Sequence, residues 1–287
     1  MKGFSLASLK KPAGLGIAAA ATLALAVPAS GAFASSASST PRPAVALPVI
    51  TVTMNGKTIS VTGDLVSGGV KVVSKVTREP AGNPTFVRLD PGVTVAQVLK
   101  AASGDPNNIA LIASIVFSPQ ANKGTSWAEV NLRPGNYVAV DLNTSPSNPA
   151  LTTFTISRNS SPASLPKPRA TMSSIEFGFR GPSTLHDGQL VRFGNHGFLV
   201  HMMFAARAPS KAKAEQIARL LKAGKDGKAQ ALADGSYQFF GILTHDQSEQ
   251  QIVNLRPGYW VIACFMDTQD GREHTRLGME RVIHIVR

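Results

Sequence analysis

The chain has 287 residues, 16% of them charged and 6% aromatic, with 25 glycines, 19 prolines, one cysteine and a formal charge of +12. That composition excludes a disordered chain, and the length fits one large domain or two of ordinary size. The basic residues are scattered and no aromatics interleave with them, so the charge leaves no nucleic-acid-binding footprint.

Lys2, Lys10 and Lys11 precede an apolar run, Ala13 to Val27, which is followed by small residues at Ala32 and Ala34. This is the pattern of a secretory signal peptide over residues 1–34. The run is shorter than the about 20 residues that span a bilayer; an uncleaved anchor is the alternative. No later stretch is apolar enough to span. Removing residues 1–34 takes away three lysines and no acids, leaving a formal charge of +9. The protein is therefore expected to be secreted, outside the cell or in the periplasm or cell envelope, with a positive balance suited to acidic partners. Residues 35–46 read as a flexible, proline-containing segment.

Alternating runs predict strands over Ile50–Met54, Gly69–Val76, Thr85–Arg88, Ile109–Phe117, Tyr137–Leu142 and Thr152–Ile156. Thr94 is the candidate N-cap of a short helix, with Gln97 three residues later. Residues 161–168, "SPASLPKP", read as a linker. Beyond it, strands are predicted over Ser174–Phe179, Gln189–Phe193, Val200–Ala205, Tyr237–Gly241, Tyr259–Phe265 and Arg281–Val286. Ser210 is the candidate cap of a second helix, whose lysines form a solvated face opposite Ala214, Ile217, Leu220 and Leu221.

The pentapeptide "NLRPG" occurs twice, at Asn131 and Asn254, 123 positions apart, each time leading into an alternating run. "VSGGVKVVSKV" around Gly69 resembles "LHDGQLVRFGN" around Gly188. The chain therefore reads as two copies of one unit, residues 47–160 and 169–287. Many short strands with Gly/Pro turns make the fold class all-β, a tandem of β-sandwiches each with a short inserted helix.

The copies differ where soft metal ligands would sit. At the 123-residue offset Cys264 lies opposite Asp141. The segment after Cys264 carries His274 and Met279, and "FGNHGFLVHMM" carries His196 and His201; the counterparts in the first copy have neither histidine nor methionine. A lone cysteine in an exported chain cannot form an internal disulfide, so it is a buried thiol, an intermolecular link or a ligand. Two histidines, a thiolate and a weakly held methionine on a rigid sandwich form a blue-copper electron-transfer site. The bland reading stays open beside it: a buried inert Cys264, a surface His274, a hydrogen-bonded core His201 and a core-filling Met279. Cys264 with His274 also has the makings of a nucleophilic pair, but no oxyanion hole or substrate cleft accompanies it. The chain reads as a carrier or binding protein rather than an enzyme.

The second copy resembles the cupredoxin family, the plastocyanin- and azurin-like blue-copper proteins. "VRFGNHGFLVH" places Phe193, Asn195 and His201 in the family's pattern, and "PGYWVIACF…HTRLGM" matches its last hairpin. The resemblance implies Greek-key sandwiches, a mononuclear type-1-like site with one copper ion on His201, Cys264, His274 and Met279, and a first copy without a site. It implies electron transfer or copper carriage with a redox or copper-exchange protein partner at the cell surface. Two departures stand out. Nine residues separate Cys264 from His274, more than is usual in the family, and "DTQDG" must fold that loop back. Met202 occupies the position where the family commonly has an asparagine tying the ligand loops together. The alternative function is a metal-free β-sandwich acting as a surface or protein-binding module.

Overall fold

The computed structural model describes residues 46–144 and 149–287. The expected leader, 1–34, and residues 35–45 lie outside them. The strands of the first sandwich are β1 (Val49–Met54), β2 (Ile59–Gly63), β3 (Gly68–Gly82), β4 (Pro84–Leu89), β5 (Ala113–Phe117), β6 (Ala121–Leu132), β7 (Gly135–Asp141) and β8 (Leu151–Ile156). Helix α1 (Val95–Gly104) and a 3-10 helix, Pro106–Leu111, stand between β4 and β5. One sheet runs β2-β1-β3-β6 and the other β5-β4-β7-β8. Ile50, Val52, Val70, Val72 and Val130 of the first sheet meet Phe86, Phe117, Tyr137 and Phe154 of the second. The Phe86 ring centroid stands 5.0 Å from those of both Phe117 and Phe154. Helix α1 opens on the capping box expected at Thr94 and Gln97 and packs Val98 on the outer face of β4, β5 and β7.

The second sandwich contains β9 (Ala170–Ile175), β10 (Gly178–Arg180), β11 (Thr184–His186), β12 (Leu190–Asn195), β13 (His201–Ala208), β14 (Gly235–Leu243), β15 (Ser248–Ile252), β16 (Gly258–Ala263) and β17 (Glu280–Val286). Its sheets run β10-β9-β12-β15 and β11-β17-β16-β13-β14. Met172, Phe193, Phe239, Trp260, Ile262 and Ile283 fill the space between them. Helix α2 (Lys211–Lys222), capped by Ser210, and α3 (Asp226–Leu232) cover the outer face through Ala214, Ile217, Leu221 and Ala229. Among the described residues no helix is long and apolar enough to cross a membrane.

The repeated pentapeptide makes the same turn twice. Gly135 (φ 145°) and Gly258 (φ 134°) take backbone angles that an L side chain resists. Two positions on, Tyr137 Oη donates to Arg133 O at 2.7 Å, and Trp260 Nε1 donates to Arg256 O at 3.0 Å. In each sandwich this aromatic pins the entry to the strand that leads towards Asp141 or Cys264.

The two sandwiches share a sheet. β6 pairs with β15 in antiparallel register, Val130 opposite Glu249 and Glu129 opposite Gln250, so the first sheets join into eight continuous strands. β5 meets the second sandwich through Thr244 Oγ1, which accepts from Ile115 N at 3.1 Å, and through Glu249, which accepts from Ser118 N at 2.8 Å. Burial pushes Glu249 up to about 8, opposed by that backbone hydrogen bond. The expected linker is itself held. Ala163 O accepts from Gly69 N at 2.7 Å, and Pro166 O accepts from Gln250 Nε2 at 3.1 Å.

Several expected boundaries move. The run Ile109–Phe117 divides, because Asp105 caps Asn107 N and Pro106 starts a 3-10 helix; the strand begins only at Ala113. Ser174–Phe179 is a hairpin, turning at Glu176 and Phe177 between β9 and β10. β6 was not expected at all. Its exposed half, "NKGTS", has no apolar alternation, and it forms because β3 pairs along its length.

Candidate metal centre

His201 is the first residue of β13, Cys264 directly follows β16, His274 opens a 3-10 helix (His274–Leu277), and Met279 lies between that helix and β17. All four side chains are fully buried. β13 and β16 are neighbours in the sheet, with Phe204 opposite Ala263, so the ladder itself brings His201 and Cys264 to one end. The long loop after Cys264 folds back as the "DTQDG" turn predicts. Thr268 N donates to Arg272 O at 2.9 Å, Asp267 and Glu273 form a bridge, and Gly271 takes φ 77°. His274 N then donates to Met266 O at 2.8 Å, which sets the imidazole beside the thiol. Gly278, left-handed at φ 100°, ends the 3-10 turn. Met279 N donates to His274 O at 3.0 Å and Met279 O accepts from Cys264 N at 3.2 Å, so its backbone links the other two residues.

Three donor atoms converge. His201 Nδ1 and His274 Nδ1 are 3.1 Å apart, and Cys264 Sγ lies 3.7 Å and 3.4 Å from them. The point equidistant from the corners of that triangle is about 2.0 Å from each, the length of a metal–imidazole bond and slightly under that of a metal–thiolate bond. The group could hold a metal ion.

Burial favours the neutral form of all three donors. Burial, with His274 adding to it, lowers His201 to about 3; burial lowers His274 to about 4 against the opposing pull of Glu176 and Asp105. Neutral imidazole is the ligating form. Burial pushes the Cys264 thiol up to about 12, opposed by the N–H groups of Met202 and Met266. The Met202 N–H reaches Sγ at 3.4 Å. It is free to do so because β13 slips register against β14 between His201 and Met203, leaving Met202 out of that ladder. A thiolate formed here finds these donors already in place.

Other residues fix the histidines. Asn195, fully buried at the end of β12, donates to Leu199 O and Leu243 O at 2.8 Å and accepts from Gly197 N at 2.8 Å, so it shapes the loop leading to His201. Glu176, at the β9–β10 turn, accepts from the N–H groups of Phe198 and Leu199, and its carboxylate lies 3.9 Å from His201 Nε2. Phe177 packs edge-on against His274 with centroids 5.4 Å apart. Sequence reasoning found Asn195 but missed Glu176, Phe177 and Gly197, whose chemistry shows only after folding. His196 is half-exposed near Asp246, and His245 stacks on the exposed ring of Phe198; neither joins the donor cluster.

Gly197 is glycine for space. A Cβ there would stand 2.6 Å from His201 Nε2 and 2.7 Å from Glu176 Oε1. The glutamate can swing away, but the buried imidazole cannot. Gly197→Ala is expected to leave the far-ultraviolet circular dichroism unchanged and to weaken metal retention about ten- to a hundredfold, as displaced supporting groups do. Chelator competition measures this; unchanged retention would mean that the ring has more room than the packing implies.

No protein-family model and no curated protein sequence matches the chain. Solved structures that it is similar to include a dithionite-reduced auracyanin from Roseiflexus castenholzii, 15% identical over 41% of this chain and 95% of that one, with a TM-score of 0.26. A Cu-containing nitrite reductase from Thermus scotoductus is 11% identical over 83% and 67%, with a TM-score of 0.26. A multicopper oxidase is 12% identical over 83% and 87%, with a TM-score of 0.24. The tandem all-β sandwich rests on the strand order and the two cores.

Proposed function

We propose that this chain is an exported electron carrier that holds one copper ion on His201 Nδ1, His274 Nδ1 and the Cys264 thiolate, with Met279 supplying a weak thioether. The observation that carries this reading is the donor triangle, whose centre lies at bonding distance from all three atoms. A thiolate with two imidazoles suits copper, and copper supplies a one-electron couple. Zinc accepts the same three donors but takes a fourth strong ligand or water, and a thioether from Met279 would be a weak one. Burial of all the donors leaves no open position facing solvent for a substrate, which favours electron transfer over turnover.

The protein's own residues do the rest. Hydrogen-bonded strands and the 3-10 turn hold the imidazoles, and the Met202 N–H steadies the sulfur. Phe177, half-buried against His274, offers a short route to the surface. This rigidity also favours electron transfer over copper delivery, because releasing the ion requires the loop hairpin to open. The leader pattern supports export, and the positive balance supports acidic redox partners.

The test is to add one equivalent of Cu(II) to reduced residues 35–287 and record the visible spectrum. An intense blue thiolate-to-copper charge-transfer band is expected, and Cys264→Ser abolishes it. Voltammetry should then show a reversible couple with the copper retained. No band in the wild-type protein, with copper retained in neither oxidation state, would favour a metal-free binding module. A band that is lost with the metal on reduction would favour carriage.

A further inference from the structure

Among its described residues the first sandwich has no donor cluster of its own, and Asp141, opposite Cys264 at the 123-residue offset, accepts from Asn83 N at 3.0 Å and Asn143 N at 3.1 Å instead. Yet it reaches into the centre of the second. The 3-10 helix after α1 sends Asn107, 6% exposed, across the interface. Asn107 Oδ1 accepts from Val200 N at 2.9 Å, and Asn107 Nδ2 donates to Asp267 O at 3.0 Å. Val200 immediately precedes His201. Asp267 immediately follows Met266, whose N–H faces Cys264 Sγ and whose carbonyl accepts from His274 N. One amide therefore ties the strand that presents the first histidine to the loop that presents the thiol and the second histidine. Asp105 fixes its orientation, because Asp105 Oδ1 accepts from both Asn107 N and Asn107 Nδ2 at 2.9 Å. With Nδ2 giving two hydrogen bonds and Oδ1 receiving one, the amide cannot flip without breaking all three.

We propose that Asn107 is a positioning residue for the metal centre, so that the first sandwich is a working part of the site rather than a passive copy. This rests on the copper reading for its consequence, but the clamp itself is a property of the metal-free fold. The side chain never touches the ion. It acts by holding Val200 and Asp267 at a fixed separation, which sets the distance between the two imidazoles and the sulfur. An amide is suited to this because it needs both a donor and an acceptor, one for each loop.

The experiment compares Asn107→Ala with Gln120→Ala in the full two-sandwich protein. Gln120 Oε1 accepts from Gln238 N at 2.9 Å, so its loss also removes a hydrogen bond between the sandwiches, but at neither donor-bearing loop. In the metal-free protein, amide hydrogen exchange at Val200 and over 266–274 should speed up in Asn107→Ala and stay as in the wild type in Gln120→Ala. In the copper-loaded protein, Asn107→Ala should keep a charge-transfer band with altered position or intensity and release copper to a chelator about ten to a hundred times faster. Asn107→Asp, which keeps the acceptor for Val200 and loses the donor to Asp267, should quicken exchange over 266–274 more than at Val200. Equal effects of Asn107→Ala and Gln120→Ala, or none from either, would overturn the proposal. A wild-type protein that retains no copper, with the exchange pattern as expected, would sink the copper reading while leaving the clamp standing as a tie between loops. If copper binds and the exchange pattern changes but the band and release rate do not, the clamp exists and does not position the donors.

Discussion

Phe193→Ala is expected to destabilise the metal-free protein by about 3–5 kcal/mol, the range for deleting a buried phenylalanine from a packed core. Phe193 lies on β12 with no exposed surface, and its ring stacks on Phe239 with centroids 4.5 Å apart and planes 20° from parallel. Phe239 in turn meets Tyr237 edge-on at 5.4 Å. Truncation removes the transfer free energy of the ring and opens a cavity between two sheets that hydrogen-bond on either side of it, so the walls cannot collapse far. β12 is held between β9 and β15, and β13 across the core carries Met203 and Ala205 beside the same cluster. The contrast is Phe198, 80% exposed, where truncation should change stability by no more than about 0.5 kcal/mol. Urea unfolding followed by the fluorescence of Trp260, which belongs to the same core, measures both. The midpoint should fall for Phe193→Ala with an unchanged slope. A fall no larger than that of Phe198→Ala would mean that this stack fills space already available to its neighbours.

Much of the site was legible because its chemistry is scarce in this chain. A single cysteine followed by His274 and Gly278-Met279 stands out against residues 47–160, which hold neither cysteine nor histidine, and "DTQDG" is recognisable turn chemistry. The helix caps at Thr94 and Ser210 were equally local. What could not be read depends on partners far away in sequence. β6 looks like a loop until β3 and β15 flank it. Glu176 is an ordinary acid until the hairpin carries it beside Phe198 N and Leu199 N. Asn107 is an ordinary loop amide until the fold sets it between Val200 N and the Asp267 carbonyl, 160 residues away. No pattern within residues 169–287 could reveal a hydrogen bond supplied by Asn107.

Copper affinity should rise about tenfold for each unit of pH, and so about a hundredfold between pH 6 and pH 8. The sign follows from the state of the free site. Burial lowers His201 to about 3 and His274 to about 4, so both imidazoles are neutral and ready above pH 5. The same burial pushes Cys264 up to about 12, so the sulfur still carries its proton throughout this range. Binding must therefore expel one proton per ion, and raising the pH pulls that equilibrium towards the metal complex. An exposed thiol of ordinary acidity would behave differently, its affinity levelling off once the pH passed about 8.5; here the rise should continue beyond that point. Below about pH 4 the histidine protons compete as well, and the dependence steepens. Chelator competition with Cu(I), which avoids metal hydrolysis, gives the affinities, and calorimetry in buffers of different ionisation enthalpy counts the protons. One proton released per ion at pH 7 fits a closed site holding a thiol and two neutral imidazoles. None would mean that the sulfur is already ionised or does not bind, and two would mean that a histidine is protonated in the free protein, contrary to its burial.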